Sequence, residues 1–185
     1  MHVSAGVEMA RATPSINSDV LAMIESHHER ADGSGYPKGL KGNDIPVFGR
    51  IAGLADCYDA MTSQRPWAAA KSPYDAIREL NSLSNSHFQK EMVEQFVQAM
   101  GMFPTGSVVE LNTGEIGIVV EQNRVRRLRP KIMILLDSDK TPLAKFKTAD
   151  LRHCPSDQHD PKSYWIVRGH EPGAFDIDPK SYFIG

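Results

Sequence analysis

The apolar residues of this chain change their spacing once, at Phe103-Pro104, and this change limits the folds the chain can adopt. Before it, apolar residues recur three and four positions apart, as in amphipathic helices. After it, short runs of Val, Ile and Leu alternate with turn residues, as in strands. We therefore predict an α+β fold, with a mainly α-helical domain over residues 1–103, a small β-barrel-like module over 104–153 and a C-terminal tail with short ordered segments over 154–185.

A pair of histidines ends the second predicted helix. This helix begins near Asn17 or Ser18, and its apolar stripe continues onto His27 and His28. Since residues three and four apart share one face of a helix, both histidines are expected at its inward-facing end. The apolar residues of the stripe are Val20, Met23 and Ile24.

A glycine-rich segment, Asp32 to Asn43, follows the histidines and holds four glycines and one proline, too many for regular structure. We therefore predict an ordered loop of about a dozen residues. Loops of this length are more often functional than not. A third helix then opens at residues 44–46, and its Asp56 and Asp59 project from one face.

The second half of the chain is predicted to form short strands joined by turns. The tail repeats one pattern, at residues 160–166 and 178–184, and we interpret both copies as Asp-Pro turns that start short ordered segments. The predicted strands are Val108 to Leu111, Ile116 to Glu121, Lys131 to Leu136 and Leu143 to Lys147.

Composition excludes several classes of protein. The 21 Lys and Arg nearly balance the 23 Asp and Glu, so bulk attraction to DNA or to an anionic membrane is not expected. Apolar runs such as residues 132–136 are far shorter than a membrane span, and we expect a cytoplasmic protein. Two cysteines without CxxC spacing indicate neither a disulfide framework nor a cysteine zinc site.

Imidazole and carboxylate groups close together are typical ligands of divalent metals. The histidine pair ends one predicted helix and Asp56 lies on the next. A single histidine is more often a satisfied or exposed side chain than a ligand. An adjacent pair on an apolar stripe, followed by a glycine-rich loop, favours a metal site.

Residues 27–37, HHERADGSGYP, resemble the signature of the HD-GYP phosphodiesterases. The resemblance continues through residues 50–62, RIAGLADCYDAMT, and through the triplet RPW at 65–67. It covers about the first 101 residues and implies a helical HD-type domain. Members of that family hydrolyse cyclic di-GMP to a linear dinucleotide or GMP, using two or three divalent metal ions, most often iron or manganese.

The resemblance also implies site residues. His2, His27, His28 and Asp56 fall on metal-ligand positions. Tyr36 and Arg65 fall on positions that contact the substrate, and a guanidinium suits a phosphate because it presents paired donors. The remaining matched residues are expected to shape the loop or orient the ligands; they are Asp32, Gly33, Gly35, Pro37, Arg50 and Asp59. Arg50 either braces a carboxylate or covers the surface.

In the family, a His-Asp pair whose aspartate bridges the metals lies some tens of residues before the position of His2, outside these 185 residues. Ala68 also stands where active relatives carry a basic residue. We therefore expect this chain by itself to be weak or inactive. We also expect an exposed apolar stripe that causes self-association, for example as a homodimer; its predicted members are Val20, Ile24, Ile51 and Tyr58.

Two alternatives remain open. One is a non-catalytic module that binds a nucleotide or a partner such as a diguanylate cyclase through the Gly-Tyr-Pro loop. The other is a metal phosphohydrolase that acts on other nucleotides. Side chains outside the motif are expected to be bystanders or a solvated edge; they are His87, His153, His159, His170 and the arginines 124, 126, 127 and 129.

Overall fold

The computed structural model describes residues 2–155, 160 and 163–183, and it confirms the α+β class. The five helices are α1 (His2–Ala12), α2 (Ser18–Ser26), α3 (Val47–Thr62), α4 (Pro73–Ser82) and α5 (Lys90–Met100). The five strands are β1 (Val108–Leu111), β2 (Ile116–Glu121), β3 (Lys131–Leu136), β4 (Pro142–Asp150) and β5 (Ile166–Gly169). None of the described helices has the length and hydropathy that crossing a bilayer requires.

The chain divides into two compact units. The first unit comprises Met1–Ala60 and Glu79–Phe96, and the second comprises Met61–Arg78 and Val97–Gly185. The domain bounds at residues 103 and 153 stay a prediction.

In the first unit, helix α2 begins where the sequence predicts. The Asn17 side chain accepts a hydrogen bond of 2.7 Å from the Asp19 N–H, so it caps the helix. Helix α3 starts at Val47, slightly later than predicted, after a short 3-10 helix at Gly42–Asp44. Ile45 is extended (φ −76°, ψ 122°), because a following proline disfavours the helical region.

Two glycines let α3 approach the end of α2. A Cβ on Gly49 would lie 1.9 Å from Ser26 Oγ, and a Cβ on Gly53 would lie 2.5 Å from the His27 carbonyl oxygen. No other residue allows these distances without a shift of the backbone or of the serine. The second half of α3, which carries Asp56, is therefore held against the turn that carries the histidine pair.

The second unit contains an antiparallel sheet with the strand order β4-β3-β2-β1-β5. The predicted barrel-like closure is wrong, because β4 and β5 occupy opposite edges of an open sheet. The sequence pattern did not reveal β5, which lies in the predicted tail. It pairs with β1, at the edge that β4 would need in order to close a barrel.

Both faces of the sheet are buried at its three inner strands, β1 to β3. Neighbouring residues of β1 belong to different apolar clusters, Val109 to one and Val108 to the other, because side chains alternate along a strand. The first cluster includes Leu111, Val119, Ile132 and Ile134, and the second includes Ile116, Ile118 and Leu135.

The described part of the predicted tail holds two short 3-10 helices, Ala174–Asp176 and Pro179–Tyr182. The second copy of the tail pattern forms the expected turn, since the Asp178 side chain accepts a hydrogen bond of 3.0 Å from the Lys180 N–H. In the first copy, Pro161 and Lys162 lie outside the described residues, as does His159.

Candidate metal centre

Three histidine side chains converge in the first unit. His2 begins α1, His27 is the C-terminal cap of α2, and His28 is the next residue. One ring nitrogen of each lies within 4.8 Å of the other two. His2 Nε2 is 2.9 Å from His28 Nε2 and 3.4 Å from His27 Nε2. Three imidazole nitrogens that face one point form a ligand set for a divalent cation.

The hydrogen bonds of His27 decide which of its nitrogens faces this point as an acceptor. Its Nδ1 lies 2.9 Å from the carbonyl oxygen of Ile24 and 3.2 Å from that of Met23. A carbonyl only accepts, so Nδ1 carries the proton in the neutral ring. Nε2 therefore presents a lone pair to the cluster, an arrangement that metal-binding histidines commonly have.

Asp56 lies at the edge of the cluster. Its Oδ2 is 3.8 Å from His28 Nδ1, which is too long for a hydrogen bond, and its side chain is 43% exposed. Burial lowers the pKa of His28, and the neighbouring His27 ring lowers it further, while the Asp56 carboxylate raises it. A lowered pKa favours neutral imidazole, the form that binds a cation. Three imidazoles with one adjacent carboxylate fit a divalent transition metal.

Tyr36 covers one side of the histidine pair. Its ring stacks on His28, with a centroid distance of 4.7 Å and an interplanar angle of 28°, and 40% of the residue is exposed. The Tyr36 N–H donates to the His28 carbonyl (3.2 Å), and the Tyr36-Pro37 bond is cis. The loop tip is thus held beside the imidazoles.

The backbone conformation of the loop requires glycine at two positions. A Cβ on Gly35 would lie 2.4 Å from Arg30 N and 2.5 Å from the His28 carbonyl oxygen, so only glycine fits. Gly33 has a φ of +84°, which residues with a side chain rarely adopt. Neither residue offers a side chain for catalysis.

Glu29 belongs to the motif at residues 27–37, but the motif by itself indicates no role for it. Glu29 is only 4% exposed, and its two carboxylate oxygens accept hydrogen bonds from the backbone N–H groups of Lys38 (2.7 Å) and Leu40 (3.0 Å). The loop that carries Tyr36 is thus tied to the residue that follows His28. The signal available in the sequence was an acid three residues before a glycine-rich loop, whose backbone donors need acceptors.

Asp32 shapes the start of the same loop. Its Oδ1 accepts hydrogen bonds from the Ser34 hydroxyl (2.6 Å) and N–H (2.9 Å), which lower the pKa of Asp32. His87, expected to be a bystander, lies 3.8 Å from Asp32 Oδ2, and its carbonyl accepts from the Ala31 N–H (2.8 Å). Residue 87 therefore supports the loop.

The remaining matched residues with side chains are Arg50, Asp59 and Arg65. Arg50 Nη1 donates to the side-chain oxygens of Asn43 (3.3 Å) and Gln89, so it links the end of the loop to the start of α5. Asp59 is exposed on α3. Arg65 belongs to the second unit, in a turn closed by backbone hydrogen bonds with Ala68 (3.1 and 3.2 Å).

Two family models match the chain. The first, described as an HD domain, matches residues 1–92, and the second, described as a KOW domain associated with HD domain, matches residues 108–156. The second match covers strands β1 to β4.

Curated relatives agree with the first model. A cyclic di-GMP phosphodiesterase of Pseudomonas aeruginosa is 34% identical over 77% of this chain and 34% of its own length. A cyclic di-GMP phosphodiesterase of Thermotoga maritima is 49% identical over 40% of this chain and 20% of its own length. A 3'3'-cGAMP-specific phosphodiesterase of Vibrio cholerae is 35% identical over 52% of this chain and 19% of its own length.

The chain spans about a third or less of the length of these relatives. The matched stretch nevertheless includes the converging histidines, and the two models together cover most of the chain. The chain therefore belongs to the HD-domain phosphohydrolase family, as the HD-GYP motif at residues 27–37 predicted.

Proposed function

We propose that this chain is part of a metal-dependent phosphodiesterase that hydrolyses cyclic di-GMP to a linear dinucleotide or GMP. The observation that carries the proposal is the convergence of three imidazole nitrogens within 4.8 Å, with the His27 tautomer set for binding a cation. The proposed ligands are His2, His27, His28 and Asp56.

The proposed metals are iron or manganese, the ions that the resemblance implies. A mixed set of imidazole and carboxylate suits iron or manganese, and the resemblance implies two or three such ions in the full family site. When bound, divalent ions supply an activated water and neutralise charge on the phosphate. In this chain, Asp56 contributes the negative charge that offsets the cations, and the Ile24 and Met23 carbonyls hold the His27 ring.

The substrate class follows from the loop and from the relatives. The half-exposed Tyr36 ring offers an aromatic face on which a base can stack beside the imidazoles. Arg65 is the proposed phosphate contact. Relatives named for cyclic di-GMP and for 3'3'-cGAMP both match this region, so cyclic dinucleotides are the proposed class and cyclic di-GMP the first to test.

The 185 residues do not include the His-Asp pair that precedes this region in the family. We therefore propose that the chain by itself hydrolyses cyclic di-GMP only weakly.

The first experiment measures bound metal by elemental analysis and the hydrolysis of cyclic di-GMP with added manganese or ferrous iron. We expect at least one ion per chain and slow turnover. His27→Ala should reduce metal affinity more than about 100-fold, because loss of a supporting group alone costs about 10- to 100-fold. His153→Ala is the matched control, since the His153 side chain is 80% exposed and belongs to the second unit. This variant should change neither the metal content nor the rate of hydrolysis.

Each outcome separates the proposals. Absence of metal in the unaltered chain would contradict the metal site. Binding of cyclic di-GMP without metal or hydrolysis would favour the non-catalytic module, and a diguanylate cyclase would then be the partner to test on the Gly-Tyr-Pro loop.

A further inference from the structure

The second unit contains a cavity of about 300 Å³ that plays no part in the proposed metal site. Aromatic rings and two guanidinium groups line it, together with Leu128, Ser163, Ile166 and Val167. The aromatic residues are Tyr74, Phe103, Tyr164 and Trp165, and the cations are Arg129 and Arg168. None of the described lining residues is acidic.

One side of the cavity is a rigid aromatic pair. The Tyr74 and Phe103 rings stack with a centroid distance of 4.9 Å and an interplanar angle of 7°. Phe103 is 6% exposed and belongs to an apolar cluster of the sheet, and Tyr74 packs against that cluster. The pair therefore forms a packed aromatic wall of the cavity, with Arg78 Cζ 5.7 Å from the centroid of the Tyr74 ring.

Trp165 is held in place through its backbone. Its N–H donates to the Asn112 side-chain oxygen (3.0 Å), and its carbonyl accepts from the Asn112 N–H (3.0 Å). The Asn112 side chain also donates to the Ser163 carbonyl (3.1 Å). The backbone that carries the indole is thus held at the turn after β1, on the second aromatic side of the cavity.

The two arginines are anchored at different points. Arg129 Nη1 donates to the carbonyls of Cys154 (3.0 Å) and Leu151 (3.4 Å). Arg168 Nε donates to Glu110 Oε2 (2.8 Å), and the Arg168 side chain is 64% exposed. Guanidinium groups beside aromatic rings recognise a ligand that has both a flat ring and an anionic group.

We propose that this cavity is a binding site for a mononucleotide, with the base against the aromatic residues and the phosphate at the arginines. The volume favours a mononucleotide as the ligand. About 300 Å³ is the lower end of the range for ligand sites, a size that suits one base with its sugar phosphate. The site is separate from the proposed catalytic function and does not depend on it.

Trp165 supplies the readout, because the chain has only two tryptophans. Trp67 is 80% exposed, so Trp67→Phe in the full chain leaves Trp165 as the single indole emitter. We expect GMP and AMP to change its fluorescence saturably, and guanosine and inorganic phosphate to bind at least about tenfold more weakly, because each makes only half of the contacts.

Variants of the arginines test the anionic half of the site. Arg129→Gln and Arg168→Gln should each weaken GMP binding at least about tenfold, the effect of one charged hydrogen bond. Arg127→Gln is the matched control, because Arg127 is an exposed cation of the same loop that does not line the cavity. Two arginine variants are used so that a folding defect in one, detected by circular dichroism, leaves the other informative.

Three outcomes would overturn the proposal. They are the lack of any saturable change up to about 10 mM GMP, equal binding by both arginine variants and the unaltered chain, and a response to single-stranded RNA but to no free nucleotide.

Discussion

At the scale of single residues, a buried carboxylate supports the loop beside the histidines. Glu29 accepts two backbone hydrogen bonds from the residues after Tyr36-Pro37, and it is almost entirely shielded from water. Hydrogen bonds from N–H groups to a carboxylate are among the stronger ones in proteins. We infer that Glu29 keeps the Tyr36 ring on His28.

Glu29→Ala is expected to destabilise the protein by about 2 kcal/mol or more, because it removes two hydrogen bonds from backbone N–H groups to a buried carboxylate. Urea unfolding followed by circular dichroism measures this loss of unfolding free energy. Glu8→Ala is the control, since Glu8 is exposed on α1 and alanine favours the helix. If the two variants unfold at the same urea concentration, the role assigned to Glu29 is wrong.

At the scale of elements, α3 lies close to α2 because two of its residues have no side chain. The two close approaches differ in kind: Gly49 faces the Ser26 hydroxyl, whereas Gly53 faces a backbone carbonyl. A side-chain atom can be removed by substitution, and a backbone atom cannot. This difference makes the packing testable.

Gly49→Ala is expected to destabilise the protein by about 1–3 kcal/mol, the usual cost of overpacking. Adding Ser26→Ala should restore part of that loss, because it removes the oxygen 1.9 Å from the new Cβ. Gly53→Ala should show no such recovery. A double-mutant cycle by chemical denaturation measures the coupling, and strictly additive effects of the Gly49 and Ser26 changes would contradict the predicted contact.

In the sheet, Glu110 of β1 connects two later segments. Its carboxylate accepts hydrogen bonds from Lys140 Nζ (2.7 Å) and Arg168 Nε (2.8 Å), and its side chain is 17% exposed. The hydrogen bond from Lys140, together with that from Arg168, lowers the pKa of Glu110 from its usual 4.5 to about 2. The ionised form therefore stabilises the folded state.

This pKa shift predicts how stability depends on pH. The contribution of Glu110 is fully present above about pH 4.5 and is lost as the pH falls towards 2, because the unfolded state binds the proton first. Glu110→Gln should therefore lower stability at pH 7 and weaken its decline between pH 4.5 and 2. Some decline of stability at low pH should remain in the variant, because Arg152 also lowers the pKa of Asp150.

Denaturation curves at several pH values measure this dependence. Glu171→Gln is the matched control, because Glu171 is exposed and should leave the dependence unchanged. An identical pH dependence in Glu110→Gln and the unaltered chain would contradict the role of Glu110.

At the scale of the whole molecule, apolar side chains of the first unit face solvent. Val47 and Ile51, one turn apart on α3, are 48% and 47% exposed, and Val20 on α2 is 42% exposed. The other two predicted members of the stripe, Ile24 and Tyr58, are half-buried, and Tyr58 packs against Phe96 (5.4 Å between centroids). The exposed part is therefore smaller than the predicted stripe.

Exposed apolar side chains on adjacent turns favour association, so we expect a concentration-dependent dimer of this chain. Ile51→Lys should shift the measured mass towards that of the monomer. Met9→Lys is the control, because Met9 is 74% exposed on α1, outside the stripe, and should leave the mass unchanged. Size-exclusion chromatography with light scattering measures the mass. A monomer at all concentrations of the unaltered chain would contradict this prediction.

The sequence by itself determined the class of fold, the family and the identity of the candidate ligands. These depend on local information: the apolar spacing defines helices and strands, and the motif at residues 27–37 defines the histidine pair and the glycine loop. The start of α2 at its Asn17 cap could be predicted for the same reason, because a cap acts within one helical turn.

The tertiary structure decided what depends on contacts between distant residues. His2 meets His27 and His28 only because α1 packs near the end of α2, and Glu29 acquires its role only when the loop folds back over it. The open sheet is likewise a tertiary outcome, since β5 is a short strand whose pairing with β1 joins residues more than fifty positions apart. Periodicity along the chain carries no information about such partners.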